Sequence, residues 1–179
     1  YPRWGTASST SERGVRLLRE LDDASFGSSG WDGPTLFVDE LDLPRRHDDE
    51  RGGAPDQACL WPDRLWMIEL KTEVGSHRPG QLDTYFELAR HHHPGLQLDV
   101  TYLTPAMLTP DPRRQDEDRF AHVSWDDVMP FVRQVWGDGS PEELDNLEGL
   151  ESALAGLGTP WSVWRAERLA DVVEAPQGR

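Results

Sequence analysis

The chain has 179 residues, a length typical of one domain, of which 36% are hydrophobic and 28% are charged. No apolar run approaches the roughly 20 residues of a membrane-spanning helix, so we expect no association with a membrane. The single cysteine, Cys59, excludes an intramolecular disulfide framework and a zinc site built from several cysteines. A reducing, cytoplasmic location is therefore expected.

The net charge is −15, from 33 acidic and 18 basic residues. This balance argues against a broad nucleic-acid-binding surface, because such binding depends on the neutralisation of phosphates. It leaves open a small acidic site that reaches a phosphate through bound metal ions. Lys71 is the only lysine, which suggests that position 71 needs an ammonium group. The chain begins with Tyr1 rather than Met, so we expect a domain of a larger protein.

Hydrophobic periodicity predicts the elements of the first half of the chain. A helix is predicted to begin at Ser11, and a loop rich in Ser, Gly and Asp follows over 22–33. Strands are predicted at three places: 35–43, 58–61 and 65–71. A charged loop over 45–55 separates the first strand from the second, and a tight turn at Pro62-Asp63 joins the second to the third.

The second half of the chain mixes helical and alternating patterns. Strands are predicted over 96–103, where residues 96, 98, 100 and 102 share one face, and over 120–123. Helices are predicted over four segments: 81–91, the stretch ending at Trp136, one starting at Ser140-Pro141 and one starting at Thr159-Pro160. This order predicts an α/β fold with a mixed central sheet flanked by helices. We assign 11–136 to the core and 137–179 to a C-terminal helical extension.

The turn at Pro62-Asp63 determines which residues of the predicted hairpin face each other. Pairing of residue 61 with 64 places Asp56 opposite Glu69, with Cβ atoms about 4.5–5.5 Å apart. The two-residue period of a strand puts Lys71 on the same face as Glu69. The other face, expected to point toward the core, carries the apolar residues Trp66, Ile68 and Leu70.

Two carboxylates this close repel each other unless a cation lies between them. Hard oxygen ligands at this spacing suit Mg²⁺ or Mn²⁺. Such an ion polarises a phosphoryl oxygen, and a neighbouring lysine can stabilise the charge that develops. The pattern therefore favours metal-assisted hydrolysis of a phosphate ester, with a solvent-exposed polar face of the hairpin as the alternative.

Pro55-Asp56 followed by Glu69-Leu70-Lys71 resembles the signature of the PD-(D/E)XK nuclease superfamily, which has the restriction-endonuclease-like fold. Gln81 and Tyr85 begin the next predicted helix, where positions i and i+4 share a face. This pair resembles the Gln-x-x-x-Tyr motif of the RecB-like branch. The order helix, three strands, helix, strand is similar to the family core, and the resemblance covers roughly 11–104.

The resemblance implies a metal site for Mg²⁺ or Mn²⁺. Asp56 and Glu69 would ligate the ion, and the backbone carbonyl of Leu70 would add a ligand. Many members add an acid from the first helix; Glu12 is the candidate here, with Glu20 as the alternative. Glu12 is equally explained as an acid placed favourably at a helix N-terminus.

The resemblance also implies roles for the residues around the metal. Lys71 would orient or activate the attacking water, and Gln81 and Tyr85 would position the nucleic-acid backbone or support Lys71. The RecB-like branch often carries an upstream histidine ligand. Only His47 precedes the motif, in a charged loop, which argues against an exonuclease of that type.

A metal-dependent endonuclease acting on DNA is the function that we expect, with RNA as an alternative substrate. Five arginines near the motif are candidates for phosphate contacts: Arg45, Arg46, Arg51, Arg64 and Arg78. The expected setting is an effector domain of a restriction, repair or phage-defence system, with further domains or partner subunits. A homodimer is expected if both strands are cut. The competing hypothesis is an inactive nuclease fold that binds a protein or a nucleic acid.

Overall fold

The computed structural model describes residues 12–27, 33–71, 77–104 and 110–155, together with the backbone of Thr6–Ala7. Its centre is a six-stranded sheet whose strands lie side by side in chain order. The strands are β1 (Thr6–Ala7), β2 (Leu36–Asp39), β3 (Gln57–Leu60), β4 (Arg64–Leu70), β5 (Gln97–Thr104) and β6 (Arg119–Ser124). Strands β1 to β4 pair antiparallel and β4 to β6 pair parallel. The prediction of an α/β fold with a mixed sheet is confirmed.

Helices cover both faces of this sheet. In the part of the chain that the structure describes they are α1 (Glu12–Phe26), α2 (Gln81–His92), α3 (Trp125–Trp136) and α4 (Pro141–Ala155). Helix α2 packs on one face, over Leu65 and Met67 of β4. Helices α1, α3 and α4 pack on the other face, over Trp66 and Ile68. The prediction that Trp66, Ile68 and Leu70 point toward the core is confirmed, and the opposite face of β4 is also buried because α2 covers it.

The β3–β4 hairpin has the predicted register. Its pairs run from Leu60 opposite Leu65 to Gln57 opposite Ile68, and the Trp61 N–H donates to the Arg64 carbonyl at 2.9 Å across the turn. One further step along the same ladder brings residue 56 opposite residue 69. The hairpin therefore places both candidate acids at one end of the two strands.

Helix α1 is longer than predicted. The loop was expected to start at Asp22, but the helix continues to Phe26. The Asp22 carboxylate is buried and accepts a hydrogen bond from an Arg64 Nη at 3.0 Å. Aspartate is a poor helix former in water, and here an ion pair with a distant strand outweighs that local preference.

Strand β2 is shorter than predicted. It ends at Asp39 rather than continuing to 43, because Glu40 adopts a left-handed backbone conformation with φ of 53°. The chain pairs again only at an isolated bridge between Leu43 and Gly53. This bridge lays the Gly52-Gly53 segment beside the sheet, next to α2.

Helix α4 begins as predicted. Ser140 Oγ accepts from the Glu143 N–H at 3.3 Å, and the Ser140 N–H donates to Glu143 Oε2 at 2.7 Å. This reciprocal pair is a capping box, which satisfies two donors at the start of the helix. Leu154 of α4 is buried in the core over α1 and α3. The helix predicted from Thr159 lies outside the described residues, among which no helix has the length and apolarity to cross a membrane.

Candidate active site

Glu69 lies near the carboxyl end of β4, and only 2% of it is exposed. Lys71 Nζ forms an ion pair with Glu69 Oε1, and Gln81 Nε2 donates to the same oxygen at 2.8 Å. The Tyr85 hydroxyl donates to Glu69 Oε2 at 2.9 Å. A buried carboxylate is tolerated when it is paired and hydrogen-bonded in this way. We refer to Glu69, Lys71, Gln81 and Tyr85 as the Glu69 cluster.

Helix α2 brings Gln81 and Tyr85 to this cluster on one face, as their i, i+4 spacing predicted. The helix begins directly after Gly80, whose φ of 75° lies in the left-handed region that glycine adopts without strain. Gln81 Nε2 also donates to the Tyr85 hydroxyl at 2.7 Å, and that hydroxyl lies 3.1 Å from the Ala54 carbonyl oxygen. These bonds link the start of α2 to the end of β4 and to the loop before β3.

Asp56 lies beside the cluster, directly before β3. Its Oδ2 accepts a hydrogen bond from the Leu70 N–H at 2.7 Å, so Asp56 contacts the backbone of the residue between Glu69 and Lys71. Its negative charge is one of the influences that raise the pKa of Tyr85. The structure thus brings Asp56, Glu69, Leu70 and Lys71 together at one end of the hairpin.

Lys71 follows the last residue of β4 and is held by its backbone. Its N–H donates to the Leu103 carbonyl at 2.8 Å, and its carbonyl accepts from Trp125 Nε1 at 2.8 Å. Its side chain is only 12% exposed. Sequence reasoning missed Trp125 as a contact of this site, because a tryptophan at the start of a helix gives no sign of which carbonyl it will bond.

Two buried tyrosines, Tyr85 and Tyr102, lie next to Glu69 on the sheet face that α2 covers. Burial and the negative charge of Glu69 raise the pKa of Tyr85, and they raise the pKa of Tyr102 to about 12. Tyr102 pairs with Glu69 in the register of β4 and β5, and its hydroxyl lies 2.9 Å from His77 Nδ1. Both phenols therefore keep their protons at neutral pH. Sequence analysis treated Tyr102 only as part of an apolar face and did not single out His77, for which the sequence carries no motif.

Glu12, the predicted acid from the first helix, is not gathered into this site. It is the exposed first residue of α1, which packs on the sheet face opposite to α2. Among the residues that the structure describes, no group of three or more His, Cys, Asp or Glu side chains is arranged to hold a metal ion. The described carboxylates at the cluster are those of Asp56 and Glu69.

That pair fits the chemistry of Mg²⁺ or Mn²⁺. Magnesium in enzymes is commonly held by one or two carboxylates, with waters and substrate phosphates completing its coordination. Gln81 Oε1 is a buried oxygen that accepts no hydrogen bond from the described residues. The site therefore also holds an amide oxygen that could ligate a hard cation. Asp56 and Glu69 are the residues that would hold the ion, next to the Leu70 backbone.

Comparison of the chain with family models, with curated proteins and with solved structures gave no match. The observations that bear on function are therefore the contacts of the Glu69 cluster and the position of Asp56 beside it.

Proposed function

We propose that this protein is a metal-dependent nuclease that hydrolyses phosphodiester bonds in DNA. The observation that supports this most directly is the buried Glu69 carboxylate, which pairs with Lys71 and accepts from Gln81 and Tyr85. Asp56 lies beside it. These five residues are the ones by which the sequence resembles PD-(D/E)XK nucleases. The order of one helix, three antiparallel strands, a helix and a parallel strand supports the same proposal.

The side chains of the cluster have distinct roles in this proposal. A bound Mg²⁺ or Mn²⁺ supplies charge stabilisation to the phosphoryl group and makes water more acidic. Lys71 provides a fixed positive charge and three donors, which orient a water molecule and stabilise negative charge on the phosphate. Gln81 and Tyr85 are positioning residues, since their donors hold both Glu69 oxygens in one orientation.

DNA as the substrate, endonucleolytic cleavage and a role in restriction, repair or phage defence follow from the resemblance rather than from the contacts. The net charge of −15 supports a catalytic domain that relies on another domain or subunit for most of its affinity, because few phosphates can be neutralised by this chain.

The test is incubation of purified protein with supercoiled plasmid and with linear DNA, in Mg²⁺, Mn²⁺ or EDTA. We expect nicking of the closed circle in either metal, none in EDTA, and loss of nicking in Lys71→Ala and Asp56→Asn. Glu87→Gln is the matched control, because Glu87 is an exposed acid on α2 whose carboxylate lies beside Arg46 and Arg113. Cleavage that persists in EDTA, or that survives Lys71→Ala, would contradict the proposal.

An inactive binding module is the second candidate. It is favoured by one observation: Glu12 does not join Asp56 and Glu69 in a group of three acids. Folded wild-type protein that cleaves neither DNA nor RNA in any metal, yet retains a partner in the Lys71→Ala variant, would establish this alternative. Repetition of the assay with added cell extract separates it from an enzyme that needs a second domain or subunit.

A further inference from the structure

A polar cleft of about 450 Å³ lies directly against the Glu69 cluster. Its lining includes Gln81, Thr84 and Tyr85 from the N-terminal end of α2, and the Gly52-Gly53 segment. The cleft falls within the range of roughly 300–1,000 Å³ of small-molecule sites. Because Gln81 and Tyr85 belong to both features, a ligand in the cleft is adjacent to Glu69.

Two arginines supply positive charge to this cleft. Arg51 and Arg78 both line it and are both exposed, and among the described lining residues Asp42 is the only acid. Within the described part of the chain neither guanidinium is paired with a carboxylate. The described lining residues therefore carry an excess of one positive charge, on a protein whose net charge is −15.

The other three candidate arginines are engaged elsewhere. Arg45 pairs with Asp48, and Arg46 pairs with Glu50. Arg64 is held by two buried acids, Asp22 and Asp99, and stacks on aromatic rings. Of the five arginines near the motif, Arg51 and Arg78 are the two positioned to meet a ligand at the cluster.

The backbone around the cleft also favours an anion. Gly80 gives α2 no side-chain cap, and the Gln81 N–H donates to the Arg78 carbonyl at 3.1 Å, which ties Arg78 to the start of the helix. The partial positive charge at that terminus adds to the two guanidinium groups.

We propose that Arg51, Arg78 and the first turn of α2 hold a phosphate group of the nucleic-acid strand, next to the phosphate that is cut at Asp56 and Glu69. This deepens the proposed function and rests on it for the identity of the strand. The phosphate could belong to a strand end or to the interior of a strand. The chemistry of recognition is the same, and the substrates below distinguish the two sources.

The test measures binding rather than cleavage. A labelled single-stranded oligonucleotide is titrated with protein by fluorescence anisotropy in Ca²⁺, at several salt concentrations. We expect Arg51→Gln/Arg78→Gln to weaken binding at least tenfold, as loss of charged hydrogen bonds does. The slope of log K against log salt should fall by about 0.7, the value for one phosphate on a single strand. Both arginines are exposed, so the double variant should fold.

Arg133→Gln is the control for charge removed elsewhere, since it takes one positive charge from an exposed ion pair on α3, across the sheet from the cleft. It should change binding less than twofold. A double variant that binds within twofold of this control, an unchanged salt slope, or a wild-type protein that binds no oligonucleotide would overturn the inference.

Oligonucleotides with a phosphate at either end, and with none, identify the source. If removal of one terminal phosphate lowers the affinity of the wild-type protein but not that of the double variant, the cleft binds a strand end. Equal affinities, with the arginine effect retained, assign it to an internal phosphate. Binding that depends on the arginines, without cleavage in Mg²⁺, would support the phosphate site and contradict the proposed nuclease activity. Cleavage and binding that are unchanged in the double variant would support the nuclease activity and contradict the phosphate site.

Discussion

Replacement of Tyr85 by Phe tests whether the Glu69 carboxylate is held by the tyrosine hydroxyl. The change removes one oxygen and leaves the ring, which packs in the core beneath α2. That hydroxyl has one proton and two acceptors in reach, Glu69 Oε2 at 2.9 Å and the Ala54 carbonyl at 3.1 Å. The charged oxygen is the stronger acceptor. The variant therefore loses one buried hydrogen bond to a carboxylate. Gln81 Nε2 also loses the hydroxyl as an acceptor, but it keeps its bond to Glu69 Oε1.

A hydrogen bond to a charged group contributes about 1.5–3 kcal/mol to stability. We expect Tyr85→Phe to lower the free energy of unfolding by about this amount at pH 7. For a chain of this length each kcal/mol corresponds to a change in Tm of about 2–4 °C, so the Tm should fall by about 3–12 °C. Urea unfolding and calorimetry measure the two quantities.

A double-mutant cycle with Glu69→Gln isolates the contribution of the charge. In that background the acceptor is neutral, and Tyr85→Phe should cost only about 0.5–1.5 kcal/mol. Tyr102→Phe is the matched control, because its hydroxyl bonds to His77 rather than to Glu69, and its cost should be the same in both backgrounds. If Tyr85→Phe costs the same with Glu69 and with Gln at that position, the reasoning is refuted.

Three further predictions concern the surrounding fold. Burial raises the pKa of Cys59 from 9.0 to about 12. The unfolded chain therefore loses this proton first, and stability should fall as pH rises from 9 toward 12, by up to tenfold in the unfolding constant per pH unit. Denaturant titrations at pH 8 to 11 check this, and Cys59→Ala should remove the decline that begins at pH 9. A Cβ at Gly53 would lie 2.8 Å from Tyr85 Cδ1, so Gly53→Ala should cost about 1–3 kcal/mol. Gly149→Ala, on a helix with open space around it, should instead stabilise by up to about 1 kcal/mol; equal effects of the two changes would contradict the packing argument. Arg64→Met leaves two buried carboxylates without this partner and should cost about 3–5 kcal/mol in the same assay, whereas a loss below 1 kcal/mol would show that the pair is solvated.

Local patterns predicted most of the elements, because the relevant signals act over a few residues. The i, i+4 spacing of Gln81 and Tyr85 held in α2, and Ser140-Pro141 marked the start of α4. The turn at Pro62-Asp63 was sufficient to predict the register that brings residue 56 opposite residue 69, since each pair in a ladder follows from the one before.

Errors arose where a distant partner changed a local preference. Asp22 begins a stretch rich in Ser, Gly and Asp, which predicts a loop, yet it lies in α1. Its carboxylate accepts a hydrogen bond from Arg64, 42 positions later in the chain. The left-handed Glu40 ended β2 early. Neither contact leaves a trace in the periodicity of the chain, because periodicity reports which face of an element is apolar and not what packs against it.

The chain's own sequence determined the candidate residues at the end of the hairpin and on the first turn of the next helix. The tertiary structure alone decided how they meet: Glu69 is buried and accepts from three side chains, Tyr102 and His77 stand beside it, and Glu12 is not gathered with the acids. It also separated Arg51 and Arg78 from the arginines held by carboxylates. The reason is that hydrogen bonds and ion pairs act over about 3–4 Å in space, and only the packing of α2 and the loops against the sheet determines which side chains come within that distance.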